Sequence, residues 1–79
     1  MDWRQHIHSD PEVLVGKPVV RGTRLSVDFI LSLFAQGWTE QQIFENYPTL
    51  TPESLRAVFA FAAECTRGEA FYAMPPEAL

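Results

Sequence analysis

Residues 37–55 read GWTEQQIFENYPTLTPESL and contain the start signals of two helices, one on each side of a proline. Thr39, followed three residues later by Gln42, forms a capping box, which predicts a short helix that begins at Glu40. Pro48 disfavours helical geometry at the residue before it, so this helix should end after about two turns. A helix start at Thr39, a helix stop at Pro48 and a second helix start soon afterwards predict two helices joined by a tight turn.

The second start signal in this stretch lies at Thr51, which can cap a helix whose first position is Pro52. Apolar residues then recur toward Gly68 at the spacing of one helix face. They are Leu55, Val58, Phe59 and Ala62. We therefore expect a longer helix with this face turned toward a core.

A further helix is predicted ahead of these two. Ser26 can cap it, and Gly37 is placed to end it at about Gln36. Its apolar positions are Val27, Ile30, Leu31 and Phe34, widened by Phe29 and Leu33. Three helices with a short middle one predict a mainly α fold of the three-helix helix-turn-helix type.

The chemistry changes before the helices, where residues 19–25 predict a small N-terminal β-hairpin. Gly22 and Thr23 suit the central positions of a type II′ turn. In that register Arg21 and Arg24 lie opposite each other, and like charges so placed destabilise a hairpin unless an anion lies between them. We therefore expect a negative group beside these two arginines.

Two sources of that negative group remain open. One is an internal salt bridge from Asp10 or Asp28, and the other is a phosphate or a partner's carboxylate. Lys17 can extend either arrangement. One residue near the N-terminus and two near the predicted start of the long helix join these candidates. The full set of candidates for binding nucleic acid or another anion is Arg4, Lys17, Arg21, Arg24, Ser54 and Arg56.

Length and charge limit the function classes. The 79 residues form one domain, with residues 1–25 as a β element, 26–68 as a three-helix core and 69–79 as a C-terminal tail. Residues 1–24 hold four cations and three acids, a net charge of +1, whereas residues 25–79 hold two cations and seven acids, a net charge of −5. An anionic partner should therefore meet the N-terminal third, and a basic protein should suit the helices.

The small size also argues against a catalytic cleft, so we expect a binding protein that is not an enzyme and needs no cofactor. The single cysteine excludes an internal disulfide, and no apolar run is long enough for a membrane span, so we expect a cytoplasmic protein. His6 and His8 alternate along a predicted strand, but a metal needs more ligands than these two. A core of this size favours a homodimer.

The tail contains a short apolar stretch whose bulky members are candidate partner-binding residues: Phe71, Tyr72 and Met74. If such an apolar stretch were exposed to water, it would favour aggregation. It can pack onto the helices, cover a second subunit or insert into another protein, and the sequence does not rank these three alternatives.

Several segments resemble one known family, the small bacterial and archaeal proteins called domain of unknown function 433, regarded as antitoxin-like. The resemblance runs from about Ile7 to Ala63. It is carried by DPEVL at residues 10–14, GKPVVRGTR at 16–24, GWT at 37–39 and YPTLT at 47–51. The resemblance implies a homeodomain-like helix-turn-helix fold behind a small β element.

The same resemblance implies a place in a toxin–antitoxin pair, beside a PIN-like ribonuclease toxin. It also implies that a dimer binds operator DNA. The predicted recognition helix is poorly suited to DNA, because Glu53 would face phosphates at its start and Arg56 is its single nearby cation. A protein-interaction module with no DNA-binding role is therefore the alternative.

Overall fold

A computed structural model describes residues 1–12 and 14–67 of the chain. Two short strands and three helices follow one another in that part: β1 (Ile7–Ser9), β2 (Pro18–Val20), α1 (Val27–Ala35), α2 (Glu40–Asn46) and α3 (Pro52–Arg67). A single 3-10 turn, Trp3–Gln5, precedes β1. The predicted fold class, a mainly α three-helix helix-turn-helix bundle with a small N-terminal β-hairpin, is confirmed.

Side chains cap each helix where the sequence predicts. The Ser26 hydroxyl accepts the backbone N–H of Phe29 at 3.1 Å in the first turn of α1. In α2 the capping box is complete, because Thr39 Oγ1 accepts the Gln42 N–H at 3.2 Å and Gln42 Oε1 accepts the Thr39 N–H at 2.8 Å. These bonds satisfy amide groups that have no partner inside the helix.

The two helices α1 and α2 end close to the residues that the sequence predicts. Gly37 follows α1 with φ +95°, a conformation that glycine adopts without steric penalty. Tyr47, the residue before Pro48, leaves helical geometry with φ −131° while its N–H still bonds to the Ile43 carbonyl at 2.8 Å. The clash between a proline ring and the preceding residue explains why α2 stops there.

The core lies where α1 and α3 pack over the β pair. Its fully buried large side chains come from β2 and from all three helices: Val19, Val20, Ile30, Ile43, Leu55 and Val58. Two predicted core residues are misplaced, since Phe29 is 39% exposed and Phe59 is 44% exposed. Each ring still has an aromatic neighbour, since the ring centres of Phe29 and Tyr47 are 5.8 Å apart and those of Phe59 and Phe34 are 5.2 Å apart.

The β pair differs in one respect from the predicted hairpin. Strand β2 pairs with β1, with Ile7 opposite Val20 and Ser9 opposite Pro18. The segment after the turn contributes a single bridge, from Ser26 to Val19, and the Val20 N–H bonds to the Leu25 carbonyl at 3.0 Å. Hence β2 is bonded along both of its edges, and its two successive valines are both buried.

Across residues 1–12 and 14–67, every helix is too short or too polar to cross a bilayer.

Candidate functional site

The turn that carries the paired arginines lies one residue earlier than predicted. The Thr23 N–H bonds to the Val20 carbonyl at 3.1 Å, so the central residues are Arg21 and Gly22. Gly22 has φ +80° at the second central position, which identifies a type II turn and corrects the predicted type II′ turn. The Thr23 hydroxyl donates to the Val20 carbonyl at 2.8 Å and accepts the Leu25 N–H at 3.0 Å, and these bonds hold the turn in place.

The two arginines have no carboxylate partner among the residues that the structure describes. Every ion pair found there involves other cations. Arg21 instead donates from Nη2 to the Arg4 backbone carbonyl at 3.5 Å. Asp10 accepts the Glu12 N–H at 2.9 Å, and Asp28 pairs with Lys17, so neither aspartate fills the gap. In residues 1–12 and 14–67, the internal salt bridge weighed above for Arg21 and Arg24 is therefore not formed.

Lys17 lies apart from the arginines. Its Nζ is 3.3 Å from Asp28 Oδ2, and both side chains are exposed. Asp28 also accepts the Ser26 hydroxyl, and the bonds from Ser26 and Lys17 together hold the pKa of Asp28 below its usual value. The carboxylate lies in the first turn of α1, where the helix dipole favours negative charge. Lys17 thus pairs with a carboxylate in the first turn of α1.

Arg4 belongs to a contact between the chain start and α3. Its guanidinium lies 4.5 Å from the centre of the Trp3 ring and 4.0 Å from the Glu64 carboxylate. Trp3 also donates its indole N–H to Glu64 and packs edge-on against Phe61 at 4.9 Å. Arg4 therefore has structural neighbours of its own, although its carbonyl group contacts Arg21.

The start of α3 offers little basic surface. Ser54 is only 6% exposed, and its hydroxyl lies 3.0 Å from that of Thr51, so it has almost no surface for a partner. Arg56 is exposed, and so is Glu53 one turn before it. Of the residues predicted to read DNA at the start of α3, only the cation Arg56 is exposed, and the Glu53 carboxylate lies near it. This surface is poorly suited to binding phosphates, which requires several cations.

The exposed surface of α2 is acidic. Glu40 and Glu45 are both exposed, whereas Ile43 is buried, and α2 contains no basic residue. Glu45 lies in the last turn, at the negative end of the helix dipole, where a carboxylate is locally unfavourable. We call the exposed carboxylates of Glu40 and Glu45 the acidic surface of α2.

An apolar groove lies between β2, α1 and the last turns of α3, and sequence reasoning missed it. Its volume is about 500 Å³. Its apolar lining is formed by Pro18, Val27, Leu31, Phe61, Ala62 and Cys65, and polar groups of Lys17, Asp28 and Thr66 adjoin it. The spacing of Phe61 and Cys65 on one face of α3 was a signal, but the surface opposite them depends on the fold.

A second and smaller cavity, of about 280 Å³, lies beside the arginine turn. Arg24 lines it together with Leu14 and Phe29, both of which are partly exposed. Arg24 therefore adjoins apolar surface, whereas Arg21 adjoins the chain start.

Two further predictions concern metal and tail residues. In residues 1–12 and 14–67, histidine, cysteine and carboxylate side chains form no group of three that could hold a metal ion. His8 lies on β1, opposite Val19, and His6 precedes the strand. The candidate partner-binding residues Phe71, Tyr72 and Met74 lie outside the described residues.

Comparison with known proteins gives one relative and a family. An uncharacterized protein of Sinorhizobium fredii, designated y4eO, is 36% identical over 59 residues, which are 75% of this chain and 27% of the relative. The chain thus spans well under half the length of that relative. No solved structure matches the chain significantly.

A family model described as Protein of unknown function (DUF433) matches residues 7–62. The match extends from β1 into α3, so it includes the arginine turn and both helix start signals. Because it covers well over half of the chain, this protein belongs to the DUF433 family of proteins of unknown function.

Proposed function

We propose that this protein is the antitoxin-like component of a bacterial toxin–antitoxin pair, and that it neutralises a PIN-like ribonuclease toxin by binding it. The observation that carries the proposal is the acidic surface of α2, which has no cation on its own helix. A ribonuclease binds a polyanion and needs basic surface around its site. Complementary charge accelerates association between two such surfaces.

Glu45 supplies a further argument and the best test. A carboxylate at the negative end of a helix lowers helix stability by more than the single 3.1 Å hydrogen bond that it accepts from the Gln41 amide restores, so its presence there is better explained by binding than by folding. The substitution Glu45→Lys should therefore stabilise α2 slightly while it weakens toxin binding. If Glu45 acted only through the stability of α2, the substitution would change protein stability and toxin binding in the same direction.

The measurement is the association rate with the purified PIN-like ribonuclease encoded beside this chain, at low and at physiological salt. Glu45→Lys should slow association by about tenfold at low salt, with a smaller effect at high salt. Glu12→Lys, an equally large charge change at an exposed residue outside α2, is the matched control. Equal effects of both variants, or no binding by the unaltered protein, would contradict the proposal.

A specific observation favours operator DNA as a second partner. Arg21 and Arg24 extend from the type II turn and have no carboxylate within salt-bridge distance in the described part of the chain. A homodimer would present four such guanidinium groups to phosphates. This surface, rather than the start of α3, is the one we expect to meet DNA.

Gel shifts with the upstream operator over a salt series test this second role. If each of the four arginines contacts one phosphate, Arg21→Gln with Arg24→Gln should lower the slope of log affinity against log salt by about 3 to 4. Arg67→Gln, at the end of α3, is the control. No shift at low salt would exclude DNA binding and leave a protein-interaction module.

The proposal places the chain in the cytoplasm as a homodimer without enzymatic activity or a cofactor. Light scattering on the purified protein measures the oligomeric state. A mass equal to the 9.0 kDa chain at micromolar concentration would rule out the homodimer.

A further inference from the structure

The apolar groove between β2, α1 and α3 is built like a binding site, but none of the described residues fills it. Leu31 lines it from α1, and Phe61 and Cys65 line it from α3. These last two residues are four apart on α3, so their side chains share one face. The Cys65 thiol is exposed there.

The groove lies next to the point where the described chain ends. Thr66 lines the groove, and α3 ends one residue later at Arg67. Residues 69–74 follow with the sequence EAFYAM, which is largely apolar. Six extended residues span about 20 Å, which is enough to cross the last two turns of a helix, about 11 Å.

Residue 68 offers the means to turn the chain back. It is glycine, and a glycine directly after a helix commonly adopts the left-handed conformation that reverses the chain. This reversal usually places an apolar residue beyond the glycine against the last turns of the helix. The order of helix, glycine and apolar stretch in this sequence matches that arrangement.

The residue types also match the groove. A phenylalanine can bury its whole side chain against an apolar lining, and a tyrosine needs apolar contact for its ring and a polar partner for its hydroxyl. The groove offers both, because Asp28 and Thr66 adjoin its apolar walls.

We propose that Phe71 and Tyr72 of the same chain occupy this groove and cover the Cys65 thiol. The proposal is independent of the toxin and DNA roles above. Of the three alternatives given above for the tail, it selects packing onto the helices of the same chain. The proposed segment contacts α1, β2 and α3 together, so it also ties the end of the chain to its beginning.

Cys65 is the single cysteine of the chain and therefore reports on the groove. The rate at which an aromatic disulfide reagent modifies Cys65 should rise about tenfold when the chain is ended after Gly68. Phe71→Ala with Tyr72→Ala should give the same increase in the full-length chain. Leu79→Ala, which removes an apolar side chain of the tail outside residues 69–74, should leave the rate unchanged.

Circular dichroism establishes that each variant keeps its helices. If the shortened chain unfolds, the double alanine variant decides the question. An unchanged thiol rate in a folded double alanine variant overturns the proposal.

The other occupants of the groove give different results. Protection that is lost on about hundredfold dilution of the protein identifies a second copy as the source of the segment and overturns the proposal. Protection that appears only when the PIN-like ribonuclease is added identifies the toxin as the occupant and overturns it as well. Protection that does not depend on concentration, in the isolated protein, supports it.

Discussion

Val15 has a backbone conformation that β-branched residues rarely adopt. Its φ is +56°, between Leu14 at +52° and Gly16 at +80°. A hydrogen bond from the Lys17 N–H to the Leu14 carbonyl, 3.2 Å long, closes this left-handed turn. Since the Val15 side chain is 95% exposed, packing does not compensate for the steric strain.

Val15→Gly should therefore stabilise the protein. Left-handed geometry costs a non-glycine residue about 1 to 2 kcal/mol, and the extra unfolded-state freedom of glycine offsets about 0.5 to 1 kcal/mol of the gain. We expect the free energy of unfolding in urea to rise by about 0.5 to 1 kcal/mol. Val15→Ala keeps Cβ and should give a smaller change. A clear loss of stability with glycine would show that the Val15 side chain has a contact partner.

Asp28 makes stability depend on pH. Because Ser26 and Lys17 lower its pKa in the folded protein, the ionised carboxylate stabilises the fold above the unfolded-state pKa of about 3.9, and this contribution is lost as pH falls through the folded-state pKa. At pH 7 Asp28→Asn should reduce stability by less than about 1 kcal/mol, since the carboxylate is exposed.

Urea unfolding of both proteins from pH 7 to pH 2 tests this prediction. The difference between them should be constant near neutral pH and shrink below about pH 4. Lys17→Gln removes one of the two partners of Asp28, so in that background the effect of Asp28→Asn should be smaller. A difference that persists at pH 2 would mean that the asparagine acts by another route.

Helix α2 has seven residues, too few to be stable alone in water. Two supports hold it: the buried Ile43 and the reciprocal bonds between Thr39 and Gln42. The capping box matters more here than in a long helix because little else fixes where the helix begins.

Thr39→Ala should lower the free energy of unfolding by about 1 kcal/mol, because it leaves an amide at the start of α2 without a partner. Thr49→Ala is the control, since Thr49 is exposed in the turn after α2 and has no side-chain hydrogen bond among the described residues. Gln42→Ala combined with Thr39→Ala should cost less than the sum of the two single effects. Strict additivity would show that the two bonds act independently.

The first turn of the chain packs on the helix that ends the described structure. Trp3 and Phe61 stack edge to face at 4.9 Å, and the Trp3 indole N–H donates to Glu64, 61 residues away in sequence. Contacts of such separation close the whole fold, because β1 follows directly from this turn and α3 covers it. We expect the N-terminal turn, the β pair and α3 to unfold together.

Trp3→Ala should destabilise the protein by about 2 kcal/mol, since it removes an aromatic pair and part of the apolar cover of α3. Trp3→Phe keeps the ring contact and should recover about half of that loss. Thermal unfolding followed by the helical circular dichroism signal measures both variants. A melting curve that splits into two transitions for Trp3→Ala would contradict the joint unfolding of these elements.

Local signals allowed the helices to be predicted closely. Ser26, Thr39 and Thr51 cap the helices as expected, and the proline and glycine signals place the turns between them. These effects act within about four residues, so the sequence contains all the groups involved. The fold class follows because apolar faces of three such helices have to be buried together.

Only the tertiary structure determined the partners of groups that lie far apart. Strand β2 pairs with Ile7–Ser9, Asp28 bonds to Lys17 and leaves both arginines of the turn without a carboxylate in the described residues, and Ser54 is buried. The apolar groove also depends on the tertiary structure, since three separate elements form it. Whether a side chain meets a charge, a neighbour or water depends on how whole elements pack, and spacing along the chain does not contain that information.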